Sequence, residues 1–192
     1  MVKELRDKTG AGMMDCKQAL TQSGGDFEKA IDVLRKKGMS AATKRSSKAA
    51  KDGMIAPYIH MGGRIGVLVE LNCETDFVAK TDDFKQLAKD LAMHIAAANP
   101  KYLKSDDIPA DVLEREKEIY RSQAMAEKKP ERIWDKIIEG KLKKYYEDVC
   151  LVDQKFIKDT AITIATLVSN MIAKTGENIV IRRFVRYQLG TD

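Results

Sequence analysis

The chain has 192 residues, of which 44% are hydrophobic and 33% charged, and its formal net charge is +5. This composition predicts a globular protein with room for one ordinary domain and a second, small one. No apolar run approaches the roughly 18 residues of a membrane span, and no apolar signal-peptide segment follows the first methionine. We therefore expect a cytoplasmic protein that does not enter membranes, whose modest charge suits an acidic protein partner as well as RNA.

The first 38 residues predict a module of three short helices. The first helix starts at Val2 and stops at Thr9–Gly10, and the second runs from about Met13 to Ser23. Asp26 is a good N-cap for the third helix, and Gly38 is placed to end it. Met13 and its neighbour Met14 follow a glycine loop, where they either form an adaptable contact surface or supply one residue to the core.

A basic linker over residues 39–52 follows the helical module. From Arg35 to Lys51 the chain carries seven cations and no acidic residue, and it is rich in alanine and serine. This stretch either binds phosphate groups or is a solvated linker that is partly helical. The second interpretation is favoured because no aromatic side chain is interleaved for base stacking.

Residues 53–192 predict an α+β core domain, in which a small antiparallel sheet is covered by helices. Met54–His60 is expected to be a strand, and a hairpin turn at Met61–Gly63 joins it to a second strand over Arg64–Asn72, in which apolar residues alternate with others. A helix should start near Thr81–Asp83 and end at Asn99–Pro100, with His94 on one of its faces. Four further elements are expected after this helix. The first is a helix capped at Ser105–Asp107 with Pro109 in its first turn, and the second is a helical region that starts at Pro130 and is interrupted by Gly140. The third is a helix over Ala161–Lys174, with strand as the competing assignment, and the fourth is a strand over Ile179–Tyr187 with a bulge or sheet edge near Arg182–Arg183.

The segment Leu71–Lys80, reading L-N-C-E-T-D-F-V-A-K, joins the clearest strand to the clearest helix. Asp76 and Phe77 lie side by side where the two elements meet. Phe77 belongs to neither apolar pattern, so it either fills the protein's own core or is offered to another molecule. The general burial of aromatic residues favours the core.

Two stretches resemble the signatures of a known family. T-D-F-V-A-K after the strand, and L-R-D-K-T-G-A-G-M-M-D-C-K-Q-A-L over Leu5–Leu20, are similar to bacterial elongation factor Ts, the nucleotide-exchange factor for elongation factor Tu. The resemblance extends over nearly the whole chain. It implies that the three-helix module is of the ubiquitin-associated type.

The resemblance also implies which residues bind the partner. Thr75, Asp76, Phe77 and Val78 would disturb the magnesium site of elongation factor Tu. Met13, Met14 and Lys17 would contact its GTPase domain. His60 is similar to a contacting histidine of the family, although Met61 and an additional glycine interrupt the match.

The same resemblance sets the expected assembly. Longer family members carry the core subdomain twice, whereas this chain carries it once, so the resemblance implies a homodimer that acts on two GTPase molecules. We expect no cofactor and no bound metal in the chain itself. Direct binding to nucleic acid is not expected either.

An enzyme and an RNA-binding or ubiquitin-like adaptor are the two alternatives to an exchange factor. An enzyme would need a catalytic motif, and the sequence contains no G-x-S-x-G, Walker or G-x-G-x-x-G pattern. Cys16, Cys73 and Cys150 are odd in number and far apart, so reduced thiols are expected, and no base for Cys73 is recognisable. An RNA-binding or ubiquitin-like adaptor would rest on the helical module and the basic linker.

Overall fold

The computed structural model describes residues 1–191, which form an α+β protein as predicted. Eight α-helices and five strands follow one another in these residues: α1 Val2–Thr9, α2 Met13–Gln22, α3 Phe27–Arg45, β1 Asp52–Ile59, β2 Ile65–Cys73, α4 Asp76–Ala79, α5 Asp82–Ala98, α6 Ala110–Ala126, α7 Trp134–Val149, β3 Lys155–Phe156, β4 Asp159–Thr163, α8 Ile164–Thr175 and β5 Val180–Gln188. The chain divides into two compact units. One comprises Met1–Ala96 and the chain from Ala165 onward, and the other comprises Ala97–Ile164.

The three predicted N-terminal helices are present and share one small core. Asp26 caps α3, since its carboxylate accepts a hydrogen bond of 3.0 Å from the backbone N–H of Lys29. Six buried side chains hold the three helices together: Leu5, Cys16, Ala19, Leu20, Ala30 and Leu34. Burial of small and aliphatic groups on the facing sides of short helices is what stabilises such helices, because they are marginal when isolated.

The predicted end of the third helix at Gly38 is wrong, because α3 continues to Arg45. Gly38 is buried, and a Cβ atom added there would lie 3.6 Å from the backbone oxygen of Ser169 and from the side-chain oxygen of Asn170, both on α8. The glycine therefore allows α3 and α8 to pack closely and does not terminate the helix. The predicted linker accordingly begins as helix.

Strands β1, β2 and β5 form an antiparallel sheet with β2 in the centre. Val67, Val69 and Leu71 of β2 are buried on one face, as the alternating sequence predicted. The register shifts between Glu70 and Leu71, which pair with Arg183 and Ile181 respectively, so β5 has one extra residue at this point. This confirms the bulge expected near Arg182–Arg183.

Helix α5 buries the predicted apolar stripe, but it is more enclosed than an amphipathic helix. Phe84, Leu91 and Ile95 are fully buried, and so is His94, which was expected on a helix face. Ala92 and Ala96 at one edge of the stripe are buried as well, so the covered part of the helix is wider than the stripe itself. None of the helices within residues 1–191 is both long enough and apolar enough to cross a membrane.

In the unit Ala97–Ile164, helices α6 and α7 pack against each other. Two details of the prediction are wrong here. Ser105–Asp107 is a separate 3-10 turn, and Pro109 precedes α6 as its N-cap. Gly140 does not interrupt α7, which continues to Val149, because a single glycine costs a helix only about 1 kcal/mol.

The chain around Ala161 contains both of the structures that the sequence left open. Asp159–Thr163 is strand β4, which pairs with the short β3, and helix α8 begins only at Ile164. The β-branched residues before Ile164 adopt strand geometry, to which they are suited. Gly176, with a φ of +73°, follows the end of α8 as predicted.

Gly53 gives a direct test of the sheet's geometry. Its φ is +142°, and a Cβ atom there would overlap the Leu71 carbonyl group and lie 2.7 Å from the Asn72 Cα atom. We expect Gly53→Ala to lower the free energy of unfolding by about 3 kcal/mol, through strain and displacement of β1 from β2. Urea denaturation of the wild type and the variant measures this difference.

Gly140→Ala is the matched control for that substitution. A Cβ atom at Gly140 meets nothing within 4 Å, and alanine favours a helix interior over glycine by about 1 kcal/mol. This variant should therefore unfold at a higher urea concentration than the wild type. Equal stability of Gly53→Ala and the wild type would contradict the geometry given for β1.

Candidate functional site

The segment Thr75–Val78 forms the junction between β2 and α5. Thr75 has extended backbone angles, with φ −131° and ψ 155°, and begins the single turn of α4. The Phe77 side chain is 80% exposed, so it does not fill the core as general burial statistics suggested. An apolar side chain this exposed is available to another molecule.

Asp76 displays a negative charge beside Phe77. The Lys80 ammonium group lies 2.6 Å from the Asp76 carboxylate, one turn further along the chain. The hydrogen bond and charge of Lys80 lower the pKa of Asp76, and Asp76 raises the pKa of Lys80 in turn. Exposed ion pairs add little stability, so the pair mainly fixes the direction of the carboxylate.

Glu177 binds the start of this segment, a contact that was not expected from the sequence. One Glu177 carboxylate oxygen accepts hydrogen bonds from the backbone N–H groups of Glu74 and Thr75, both at 3.1 Å. The other oxygen accepts a bond of 2.6 Å from the Thr75 hydroxyl group. These bonds join residues 102 or 103 positions apart, and no local sequence pattern predicts such a contact.

Glu74 makes a reciprocal contact with the segment that carries Glu177. Its carboxylate accepts a hydrogen bond of 2.7 Å from the backbone N–H of Asn178 and lies 3.6 Å from the Arg45 guanidinium group. The Asn178 side chain is buried and donates a bond of 2.7 Å to the Lys48 carbonyl oxygen. The strand end, the α8–β5 loop and the chain after α3 therefore meet at one point.

Cys73 is part of this packing. Its thiol donates a hydrogen bond of 3.1 Å to the Thr75 carbonyl oxygen. Burial, together with the negative charge of Glu177, raises the pKa of Cys73 to about 11. The thiol is thus protonated at neutral pH, and thiolate chemistry is not available to it.

The predicted contact residues of the helical module lie at the start of α2. Met13 is 57% exposed and Met14 is 65% exposed, so neither of them serves the core. Lys17 is one helical turn further on and is also exposed. Met13 lines a cleft that Lys174 also lines, and Lys174 forms an ion pair of 2.7 Å with Asp83 at the start of α5.

His60 lies at the other end of the sheet from Phe77. It is exposed in the β1–β2 turn, where the Tyr58 hydroxyl group lies 3.1 Å from its Nδ1 atom. Strand β2 separates this turn from Thr75, and its length is about 27 Å at the usual rise per residue. The structure therefore does not bring His60 together with Thr75–Val78. Across residues 1–191, no three His, Cys, Asp or Glu side chains are grouped so that they could hold a metal ion.

Part of the basic stretch has partners within the chain itself. Arg45 lies beside Glu74, and Lys37 forms an ion pair of 2.6 Å with Asp15 of α2. The Lys48 backbone is bound by Asn178. These contacts support a structural use of the stretch over a phosphate site.

Comparison with known proteins assigns the chain to a family. A family model described as "Elongation factor TS" matches residues 2–191. The chain is 79% identical to an elongation factor Ts of Syntrophus aciditrophicus, over all of this chain and 96% of that protein. It is 60% identical to one of Thermodesulfovibrio yellowstonii, over 99% of this chain and 94% of that protein. It is 58% identical to one of Carboxydothermus hydrogenoformans, over 99% and 88% respectively.

These matches cover the helical module, the sheet and the segment that carries Phe77. The chain therefore belongs to the elongation factor Ts family and is a translation elongation factor.

The thiols provide a test of the burial described here. Burial raises the pKa of both Cys73 and Cys150 from 9.0 to about 11. At pH 8 the thiolate fraction is then about a hundredfold lower than in the unfolded chain, and alkylation by iodoacetamide should slow by at least that factor. Mass spectrometry of the alkylated peptides, with and without urea, measures the ratio.

The same shift fixes the sign of a pH effect on stability. Because the folded thiols ionise less readily than the unfolded ones, their contribution is intact below pH 9 and is lost as the pH rises toward 11. Rapid alkylation of Cys73 in the folded protein at pH 8 would contradict the enclosed geometry of the strand end.

Proposed function

We propose that the chain is a guanine-nucleotide exchange factor for elongation factor Tu, acting in the cytoplasm during translation elongation. The observation that carries this proposal is the 80% exposure of Phe77 on a turn whose backbone is bound from several sides. Family membership supports the same partner, because members of the family are elongation factors of this type.

Exchange depends on binding that differs between two states of the partner. An exchange factor binds the nucleotide-free GTPase more tightly than it binds the complex of the GTPase with GDP. Because coupling between two sites is reciprocal, it must weaken GDP binding to the same extent. The chain needs no catalytic group of its own for this. In this proposal it is therefore not an enzyme that changes covalent bonds, and it binds neither the nucleotide nor the metal.

Thr75, Asp76, Phe77 and Val78 form the surface that perturbs the partner's magnesium and phosphate site. The Phe77 ring is large and apolar, and it has only two side-chain torsions, so little entropy is lost when it is inserted into another protein. The Asp76 carboxylate beside it is exposed and charged. Because Mg²⁺ neutralises phosphate charge, its displacement loosens GDP.

A second contact forms through the helical module. Met13, Met14 and Lys17 bind the GTPase domain, and the exposure of both methionines supports this role. Methionine side chains adapt readily to an apolar surface. His60, at the far end of the sheet, makes a separate contact in this proposal and does not extend the surface around Phe77.

The chain acts as a homodimer, and the outer face of the sheet supports this part of the proposal. That face presents exposed apolar side chains on all three strands: Ile55, Ile59, Leu68, Val185 and Tyr187. The one acid among them, Glu70, forms an ion pair of 2.7 Å with Arg183, so two copies of the face would not repel each other. A self-complementary apolar patch is what a two-fold interface requires.

The exchange-factor hypothesis is tested by measuring the release of a fluorescent GDP from purified elongation factor Tu. We expect the wild-type chain to accelerate release strongly and Phe77→Ala to lose at least about tenfold of that acceleration, because the exposed ring contributes only in the complex. Stopped-flow fluorescence over a range of factor concentrations measures the effect.

Met125→Ala is the matched control, because it removes another exposed apolar side chain, at the end of α6. This variant should accelerate release as the wild type does. Acceleration that is unaffected by Phe77→Ala would move the mechanism to Met13–Lys17. No acceleration by the wild type would contradict the proposed function and favour an RNA-binding or ubiquitin-like adaptor.

Leu68→Arg tests the proposed dimer. Leu68 is 45% exposed on the outer face and pairs with Val185, so a charged side chain there would place a cation in the centre of the interface and disfavour association. Light scattering at micromolar concentration should give the mass of a dimer for the wild type and of a monomer for Leu68→Arg. Ile119→Arg, on α6, is the control and should stay dimeric. A wild-type chain that is monomeric would contradict the dimer.

A further inference from the structure

We propose that Glu177 is a positioning residue for the exchange surface: its carboxylate fixes the backbone at Thr75 and so sets the direction in which Phe77 is presented. This inference rests on the proposed exchange function and assigns a part of it to a residue outside the signature segment. Glu177 lies in the loop between α8 and β5, far from that segment in sequence.

Helix α4 cannot fix its own direction. It has four residues, and the Thr75 side chain makes no capping hydrogen bond to its N–H groups. A single helical turn is unstable in isolation, because nucleation of a helix costs more than one turn returns. Its orientation must therefore come from contacts with other parts of the chain.

The Glu177 carboxylate supplies contacts in a geometry that leaves little freedom. One oxygen is shared by the N–H groups of Glu74 and Thr75, and the other binds the Thr75 hydroxyl group. Because the three donors are divided between its two oxygens, the carboxylate is fixed in the orientation of its plane as well as in its distance from the Thr75 backbone. Hydrogen bonds to an ionised acceptor are also stronger than neutral ones.

Glu177 is itself held in place by neighbours that are not part of the surface. Its backbone N–H donates to the Thr175 hydroxyl oxygen at 3.3 Å, and that hydroxyl group donates to the Met171 carbonyl oxygen on α8. The next residue, Asn178, is bound by Glu74. The Glu177 carboxylate thus fixes the end of β2 relative to α8.

The orientation of Phe77 depends on the Glu177 hydrogen bonds because the Phe77 side chain has little packing of its own. With 80% of its side chain exposed, few contacts within the chain orient it. Phe77 lies two positions after Thr75, whose N–H, carbonyl and hydroxyl groups are all bound. The backbone at Thr75 is therefore the fixed point on the N-terminal side of the ring.

Two conservative variants separate positioning from charge. In Glu177→Gln, the amide oxygen can still accept from both N–H groups, and the amide NH₂ group can donate to the Thr75 hydroxyl oxygen. Glu177→Asp keeps the charge but is one methylene shorter and cannot reach all three donors. We expect Glu177→Gln to stay within about threefold of the wild-type exchange rate and Glu177→Asp to lose about tenfold. The reverse order would show that the charge acts directly, and would overturn the proposal.

A double-mutant cycle with Phe77 tests whether Glu177 acts through the ring. Glu177→Ala should lower acceleration of GDP release by at least about tenfold in the wild-type background and by less than about twofold in Phe77→Ala, because residues acting as one unit are not additive. Equal losses in both backgrounds would overturn the proposal. Glu118→Ala, an exposed glutamate on α6, is the control and should match the wild type.

Amide hydrogen exchange of the free protein supplies a measurement that does not depend on the partner. Loss of the Glu177 carboxylate should raise the exchange rates of the Glu74 and Thr75 amides by at least about tenfold, while the amides in the centre of β2 stay protected. A uniform rise across the sheet would show a general loss of stability and overturn a positioning role. If the wild type does not accelerate GDP release at all, the proposed function fails; if it does and only the Glu177 variants behave as wild type, this inference alone fails.

Discussion

Two crossed carboxylates hold together the junction on which the exposed segment depends. Glu177 binds the backbone at Glu74 and Thr75, and Glu74 binds the backbone at Asn178. Each carboxylate thereby satisfies N–H groups that would otherwise be left without partners at the end of a strand or helix. The two negative charges are tolerable because those N–H groups and the Arg45 guanidinium group surround them. Removal of either acid would leave donors partly buried and unpaired, which is costly.

The hydrogen bonds at this junction explain how the short turn that carries Phe77 can be held rigidly. A short turn that follows a strand is normally mobile, since it has few buried apolar contacts. Here the turn is bound at Thr75 before it begins and at Thr81 after it ends, where the Thr81 hydroxyl group donates to the Val78 carbonyl oxygen at 2.7 Å. Between these points only Phe77 and the paired Asp76 and Lys80 are strongly exposed. A rigid base and an exposed apolar tip suit the exchange mechanism that we propose, in which binding energy distorts the partner protein.

Much of the fold could be predicted from the sequence because its signals are local. Alternating apolar residues predict β2, the hairpin turn at Met61–Gly63 predicts β1 before it, and the strongly β-prone residues after Gly176 predict β5. The errors arose where a residue type has two uses. Gly38 is typical of a helix end in the sequence, yet it allows close packing against α8. His94 was expected on a helix face, yet it is fully buried. Such choices depend on neighbours that come from distant parts of the chain.

The candidate site divides in the same way. The signature segment could be found from its own letters, and the 80% exposure of its side chain shows that Phe77 does not fill the core. Glu177 could not be found, because a glutamate in a loop has no distinguishing local pattern and its three bonds reach residues more than 100 positions away. Residues that orient a surface without belonging to it are therefore the part of a site that a single sequence hides most completely.

In the mechanism that we propose, the Phe77 side chain enters the nucleotide site of elongation factor Tu. The most direct measurement places the photoreactive residue p-benzoylphenylalanine at position 77 and maps its crosslinks in the nucleotide-free complex by mass spectrometry. The account predicts crosslinks to the segments of the partner's GTPase domain that surround magnesium and phosphate, and suppression of these crosslinks by excess GDP and Mg²⁺. Crosslinks confined to other domains, or none despite formation of the complex, would contradict it.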